Sequence, residues 1–270
     1  MKISHAIRKS RYYNEDRIIF GESFAMVCDG ATALHKSCVR PSDGSWLVSY
    51  IKKNLDKAAT DVRGQLKKIA ASAYGEFAKL TGGLGDELCL PSAGLAWAEL
   101  HGQRVAIYTI GDCEAAIIKR DGSKIRHVIP SLPRLDNIAL EHIKIKAAEQ
   151  GVSVRQATRL CNDVLIKHRR LMNKSGGYPV FTVDKNPSCE FLANEYDVAE
   201  LSEVYLYTDG ITQAFDELCI YPSWQDMFSR SIDLQEEIQK IVTRAYQDKE
   251  CNAYPRFKTI DDIAAIKIEF

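Results

Sequence analysis

No C-x-x-C pair occurs among the eight cysteines of this 270-residue chain (Cys28, Cys38, Cys89, Cys113, Cys161, Cys189, Cys219 and Cys251). That argues against both a cysteine zinc site and a disulfide framework, and it predicts reduced thiols in a cytoplasmic protein. No stretch approaches the roughly 20 apolar residues of a membrane span. The opening residues Met1 to Lys9 lack the apolar core of a secretory leader, so neither export nor membrane insertion is expected. Net charge is missing too: 36 basic residues balance 36 acidic ones, and no global field draws the chain to nucleic acid or an anionic membrane. Internal repeats, low-complexity segments and long heptad patterns are absent as well. Nothing in the pattern demands an oligomer, and a monomer is expected.

What is present is enough apolar sequence, 46% of residues, to bury a full core in one domain spanning 1–270. Strand-like runs at Arg17–Phe20 and Phe24–Cys28 flank a short turn. Amphipathic helical spacing follows over 45–59 and 62–80, broken by Gly82-Gly83-Leu84-Gly85. Strands are expected at 93–100, 104–110 and 115–119, with hairpin turns at Gly102-Gln103 and Asp121-Gly122. Helical spacing over 138–150 and 153–171 marks residues 131–184 as a flap-like helical insertion. Strand patterns return at 190–196, 203–208 and 263–270, with helical patterns at 223–229 and 234–247 between the last two. This order does not fit the β-α alternation of a doubly wound sheet. It predicts an α+β fold, a four-layer αββα sandwich of two central antiparallel sheets flanked by helices.

Three apolar runs end in an aspartate beside a glycine: Asp29-Gly30, Gly111-Asp112 and Asp209-Gly210. Two acidic pairs, Glu15-Asp16 and Asp261-Asp262, stand at the entrances of other strands. Taken singly, Asp-Gly is the commonest turn dipeptide and needs no function. Gathered at one edge of a sheet, such carboxylates repel and raise each other's pKa values unless cations occupy the site. Oxygen ligands without histidine or cysteine point to a hard ion, Mg2+ or Mn2+.

The ordered set Arg11-Tyr12-Tyr13-Asn14-Glu15-Asp16, Val27-Cys28-Asp29-Gly30, Thr109-Ile110-Gly111-Asp112-Cys113, Tyr207-Thr208-Asp209-Gly210 and Asp261-Asp262-Ile263-Ala264 resembles the motifs of the metal-dependent protein phosphatases, the PPM or type 2C family, in its bacterial form. The resemblance spans residues 11 to 270. It implies that Asp29 bridges two metal ions, that the Gly30 carbonyl helps hold the first, and that Asp209 and Asp261 complete the second. Asp112 would support a third, weaker ion, Glu15 and Asp16 would orient waters, and Arg11 would grip the substrate phosphate. The implied reaction is hydrolysis of phosphoserine or phosphothreonine, in proteins targeted by a serine/threonine kinase, by a water activated between the ions. Cys28 and Cys113 then read as buried wall residues, since neighbouring carboxylates raise a thiol's pKa.

Departures from the family pattern are Ala31 in place of a histidine, Cys113 in place of serine and Ala264 in place of threonine. They keep two alternatives open, a phosphatase-like binding or regulatory module and a phosphatase of small phosphorylated metabolites. His35 is the nearest histidine to the lost position, although a lone loop histidine is usually just solvated. The run Lys167-His168-Arg169-Arg170 reads as a solvated helical face before it reads as a substrate contact, and Tyr178 beside Pro179 as an ordering element of its loop.

Overall fold

A computed structural model describes residues 1–83, 86–187 and 190–270. Leu84 and Gly85 of the expected helix breaker, and Cys189, lie outside the described residues. Three strands come first, β1 (Lys2–Arg8), β2 (Asp16–Phe20) and β3 (Phe24–Gly30), followed by helices α1 (Asp43–Asn54) and α2 (Val62–Thr81). Four strands follow: β4 (Ser92–His101), β5 (Arg104–Ile110), β6 (Glu114–Lys119) and β7 (Lys124–His127). Helices α3 (Ser131–Gln150), α4 (Val154–Leu160) and α5 (Asn162–Arg169) precede β8 (Phe181–Thr182), β9 (Leu192–Asp197) and β10 (Leu201–Tyr207). The chain ends with α6 (Asp209–Thr212), α7 (Trp224–Met227), α8 (Leu234–Gln247) and β11 (Ile263–Glu269).

The strands form two antiparallel sheets, one ordered β1-β11-β10-β6-β7 and the other β2-β3-β4-β5-β9, with β8 also paired to β4. Side-chain alternation assigns each face. In β3, Met26 and Cys28 pack under α1 and α2 with Leu47, Ile51 and Leu66, while Ala25 and Val27 point into the space between the sheets. In β10, Val204 and Leu206 meet them there, and Tyr205 and Tyr207 face Ile238 and Ile241 of α8. The four layers αββα follow directly, as the sequence predicts. The inter-sheet core relies on small residues, Ala96, Ala98, Ala115 and Ala264, which bring the sheets close and let their ends share one site.

Helix ends carry their own signals. Ser42 caps α1 by accepting from Ser45 N, Asp61 caps α2 and Asp233 caps α8 through Gln235 and Glu236. The first helix begins at Asp43 and stops at Asn54, short of the expected 59, because Leu55 turns extended. Strand β1 is one the sequence pattern does not mark, since only Ala6 of its residues is buried. A fourth apolar cluster joins α3 and α4 to the segment before β11 through Ile143, Ala147, Val154, Ala157, Cys161, Cys251 and Phe257. No helix among the described residues is long and apolar enough to cross a membrane. The seven described cysteines are free thiols.

Candidate metal centre

The ends of the two sheets bring three carboxylates together. Asp29 lies near the end of β3, Asp112 in the turn from β5 to β6, and Asp209 at the start of α6 immediately after β10. One oxygen from each lies within 4.8 Å of the others. The close approach depends on glycine at Gly94, where a Cβ would stand 2.2 Å from Asp112 Oδ1 and 3.0 Å from Cys113 N.

Asp16 faces Asp29 across the β2–β3 ladder. Its Oδ2 accepts from the Thr208 hydroxyl at 2.8 Å. That hydroxyl in turn accepts from Ala264 N at 2.9 Å, so one threonine ties the two sheets together at the site. Asp16 Oδ1 and Asp209 Oδ1 are buried without a hydrogen-bond partner among the described residues.

Burial raises the pKa of Asp29 well above the ordinary carboxylate range, and the charges of Asp16, Asp209, Asp112 and Asp261 add to it. The same holds for Asp209, where burial comes first and Asp261 and Asp112 follow. Asp16 is raised by burial and by Asp262 against the opposing hydrogen bond from Thr208. Asp112 opens to solvent, yet the protein around the cleft and the charge of Asp261 raise it too. Such a group of oxygens, some of them buried and unpartnered, fits a hard divalent cation.

The last acidic pair divides its work. Asp262 accepts from Ser10 N at 2.5 Å, Ser10 Oγ at 2.8 Å and Glu15 N at 2.6 Å, and so fixes the loop that carries Arg11. Asp261 instead holds Lys258, whose Nζ lies 2.9 and 2.6 Å from its two oxygens. Burial alone would lower the Lys258 pKa, but Asp261, Asp209 and Asp29 outweigh it and hold the ammonium charged. Asp261 lies outside the close trio, although its charge acts on every member of it.

Glu15 is buried and accepts from Thr32 Oγ1 at 2.8 Å and Ser42 Oγ at 2.6 Å. Arg11 is exposed on its loop; burial would lower its pKa, but Tyr13, Glu15 and Asp261 raise it. Gly30 packs edge-on against Gly44, where a Cβ would come within 2.5 Å of the Gly44 carbonyl oxygen. Cys28 and Cys113 are fully buried, and burial followed by nearby aspartates pushes both thiols up.

No family model and no curated protein matches the sequence. Among solved structures the chain is similar to the serine/threonine phosphatase Stp1 from Staphylococcus aureus, at 14% identity and TM-score 0.57, covering 100% of this chain and 94% of that one. It is also similar to PppA, a regulatory component of T6SS in Pseudomonas aeruginosa, at 16% identity, TM-score 0.57 and coverage of 100% and 97%. A third is the catalytic domain of the serine/threonine protein phosphatase PstP in complex with two manganese ions, at 12% identity, TM-score 0.55 and coverage of 99% and 97%. The chain has the fold of the bacterial PPM-type phosphatases.

Within the PPM-type fold, the site also gathers residues that sequence reasoning did not single out. Lys258 follows no periodicity that would mark it, and Thr208 is visible only as the residue before Asp209. Asp136 on α3 comes close enough to Asp112 for burial and that charge to raise it to about 7, although it keeps a face to solvent. Glu217, on the π-helical turn Gln213–Glu217, is raised to about 7 by burial, against the hydrogen bond from Gln213, and then by Asp261. Gln213 connects that turn to the site, since its Oε1 accepts from Asp261 N at 3.4 Å.

Two residues of the segment 131–184, Arg169 and Pro179, reach the rim of the site. Arg169 donates to Ser92 Oγ at 2.8 Å and to the Thr32 carbonyl at 3.0 Å, and the Pro179 carbonyl accepts from Gly111 N at 3.1 Å. The basic run is therefore divided: Arg169 turns inward, while Lys167 and Arg170 keep the solvated face the sequence predicts, in loose ion pairs with Asp163 at 3.9 Å and Asp86 at 3.8 Å. Burial raises Tyr178, next to Pro179, to about 12. His35 is not solvated either, as both ring nitrogens are buried without a partner among the described residues.

Proposed function

We propose that the chain is a Mg2+- or Mn2+-dependent phosphatase of phosphoserine and phosphothreonine in proteins. The observation that carries this reading is the convergence of Asp29, Asp112 and Asp209 at the joined ends of the two sheets, with one buried oxygen of Asp209 and one of neighbouring Asp16 left unpartnered among the described residues. Asp29, the Gly30 carbonyl, Asp209 and Asp261 would hold two ions, and Asp112 a third. Such ions, when bound, lower the pKa of a water and offset charge on a phosphoryl group. Arg11 turns its planar fork of donors to the substrate phosphate. Glu15 and Asp16, fixed by Thr32, Ser42 and Thr208, accept hydrogen bonds from water in the cleft and keep it oriented. Cys28 and Cys113 take no part as nucleophiles, because their raised pKa values hold them as thiols. Residues 131–184 form a flap beside the site, and a phosphorylated protein in the cytoplasm, the target of a serine/threonine kinase, is the substrate.

The test is hydrolysis of para-nitrophenyl phosphate and of a phosphothreonine peptide with and without added manganese. Activity should require the metal and fall at least roughly a hundredfold in Asp209→Asn. Undiminished turnover in excess chelator would overturn the reading. A phosphatase-like binding module is the second reading, favoured by the ion pair that occupies Asp261. Calorimetric titration showing two bound ions together with turnover rejects it.

A further inference from the structure

Arg11, Arg155, Arg159, Lys249 and Lys258 line a cleft of about 500 Å³ where α4, the end of α8 and the segment before β11 meet. Among the described residues no carboxylate lines it. In a chain of zero net charge, five cations on one concave surface are a local concentration that the composition does not announce.

The cations are unequally satisfied. Arg155 reaches Glu250 at 3.3 Å, but both side chains are about half exposed and the pair is weak. Lys258 and Arg11 face the carboxylates of the metal centre. Arg159 has no hydrogen-bond or ion-pair partner among the described residues, and Lys249 engages only the face of Tyr246, 5.8 Å from its centroid. Arg155 and Arg159 stand four residues apart on α4, which places them on one face of the helix.

The walls are held in place. Ser153 caps α4 in a capping box, Val154 N donates to Asn252 Oδ1 at 3.0 Å, and Arg155 N donates to the Glu250 carbonyl at 3.2 Å. Behind them lies the apolar cluster that packs Val154 and Ala157 against Cys251 and Phe257. A rigid cationic groove thus runs from solvent to Lys258, whose ammonium touches Asp261.

We propose that this cleft binds an anionic flank of the substrate peptide, a carboxylate or a second phosphate lying beside the phosphoryl group that is hydrolysed. The proposal rests on the phosphatase reading for what sits at the metal centre, but not for the binding itself. It assigns to α4 a role in specificity that Arg169, already tied to Ser92 and Thr32, cannot fill.

The experiment compares phosphothreonine peptides with neutral, acidic, basic and doubly phosphorylated flanks in manganese. Acidic and doubly phosphorylated peptides should exceed the neutral one in kcat/KM by roughly tenfold, a preference that raised salt erodes. If only the doubly phosphorylated peptide gains, the cleft is a phosphate site; a gain by both makes it a general acidic-flank site. Arg159→Glu with Lys249→Glu, which leaves the Arg155–Glu250 contact intact, should abolish the preference and leave the neutral peptide's hydrolysis unchanged. Equal kcat/KM across the flanks, or a preference that survives the double variant, overturns the proposal. Anisotropy of fluorescent peptides with an acidic, a phosphorylated or a neutral flank and an unphosphorylated target threonine, titrated in chelator, reads the cleft without turnover. Should no peptide be hydrolysed, the phosphatase reading falls, and equal binding of acidic, flank-phosphorylated and neutral probes would overturn the cleft as well.

Discussion

Lys258 Nζ lies 2.6 Å from one oxygen of Asp261, so a divalent ion drawn to that carboxylate meets a cation already in contact with it. At such separations like charges repel by an amount that the cleft screens only in part. Lys258→Met removes the charge and keeps most of the stem, and it should tighten Mn2+ binding at least roughly tenfold. Titration calorimetry checks this directly, and an unchanged affinity would show that the lysine swings away at no cost. Such a residue is hard to find in sequence. Asp29, Asp112 and Asp209 announce themselves because each ends an apolar run beside glycine, whereas a lysine in a loop three residues before an acidic pair looks like any solvated lysine. Asp262 shows the converse. Its place in the final motif makes it conspicuous, yet its three accepted hydrogen bonds from Ser10 and Glu15 serve to hold the Arg11 loop.

The elements that deliver these residues are joined by tight turns. Where β10 passes into α6, a Cβ on Gly210 would stand 2.2 Å from the Asp262 carbonyl oxygen and 2.7 Å from Ile263. Asp262 cannot retreat without releasing the Arg11 loop. Gly210→Ala should therefore cost about 1–3 kcal/mol, read as a lower urea midpoint, and it should weaken metal binding along with stability. Gly75 provides the contrast: it lies exposed within α2, and a methyl group added there would meet nothing within 4 Å. Gly75→Ala should stabilise the chain by about 0.5–1 kcal/mol. Equal effects of the two substitutions would contradict the packing at the site. The regular elements were legible where periodicity was strong. Helix α8 runs from Leu234 to Gln247 as its spacing predicts, and β5 from Arg104 to Ile110. Strand β1 escaped because a mostly exposed edge strand carries no alternation, and β8 because two residues are too few to show a period. The π-helical turn Gln213–Glu217 has no sequence signature, yet it sets Gln213 against Asp261.

At the scale of the whole molecule, ions held at the proposed centre would make stability depend on pH and metal together. Asp16, Asp29, Asp112 and Asp209 have folded pKa values above their ordinary 3.8, so above about pH 4 the folded chain keeps protons that the unfolded chain has released. Their contribution to stability is complete below that pH and is lost as pH rises through the folded values. His127 works in the opposite sense. Burial lowers it from 6.5 to about 4, so its contribution, roughly 3 kcal/mol, is complete above pH 6.5 and is lost as pH falls toward 4. In chelator, stability should thus peak in the weakly acidic range and decline toward alkaline pH. Divalent ions at the proposed centre would bind the ionised carboxylates and compete with protons, so the rise in melting temperature on adding Mg2+ should grow with pH. Asp209→Asn removes one of the repelling charges. It should flatten the alkaline decline in chelator, raise metal-free stability near pH 8, and reduce the Mg2+-induced rise. Differential scanning fluorimetry over pH 5 to 8.5, with and without Mg2+, reads all three. A metal-induced rise that is constant with pH, or a decline unchanged in Asp209→Asn, would mean that the carboxylates at the sheet ends are not the groups that couple folding to the metal.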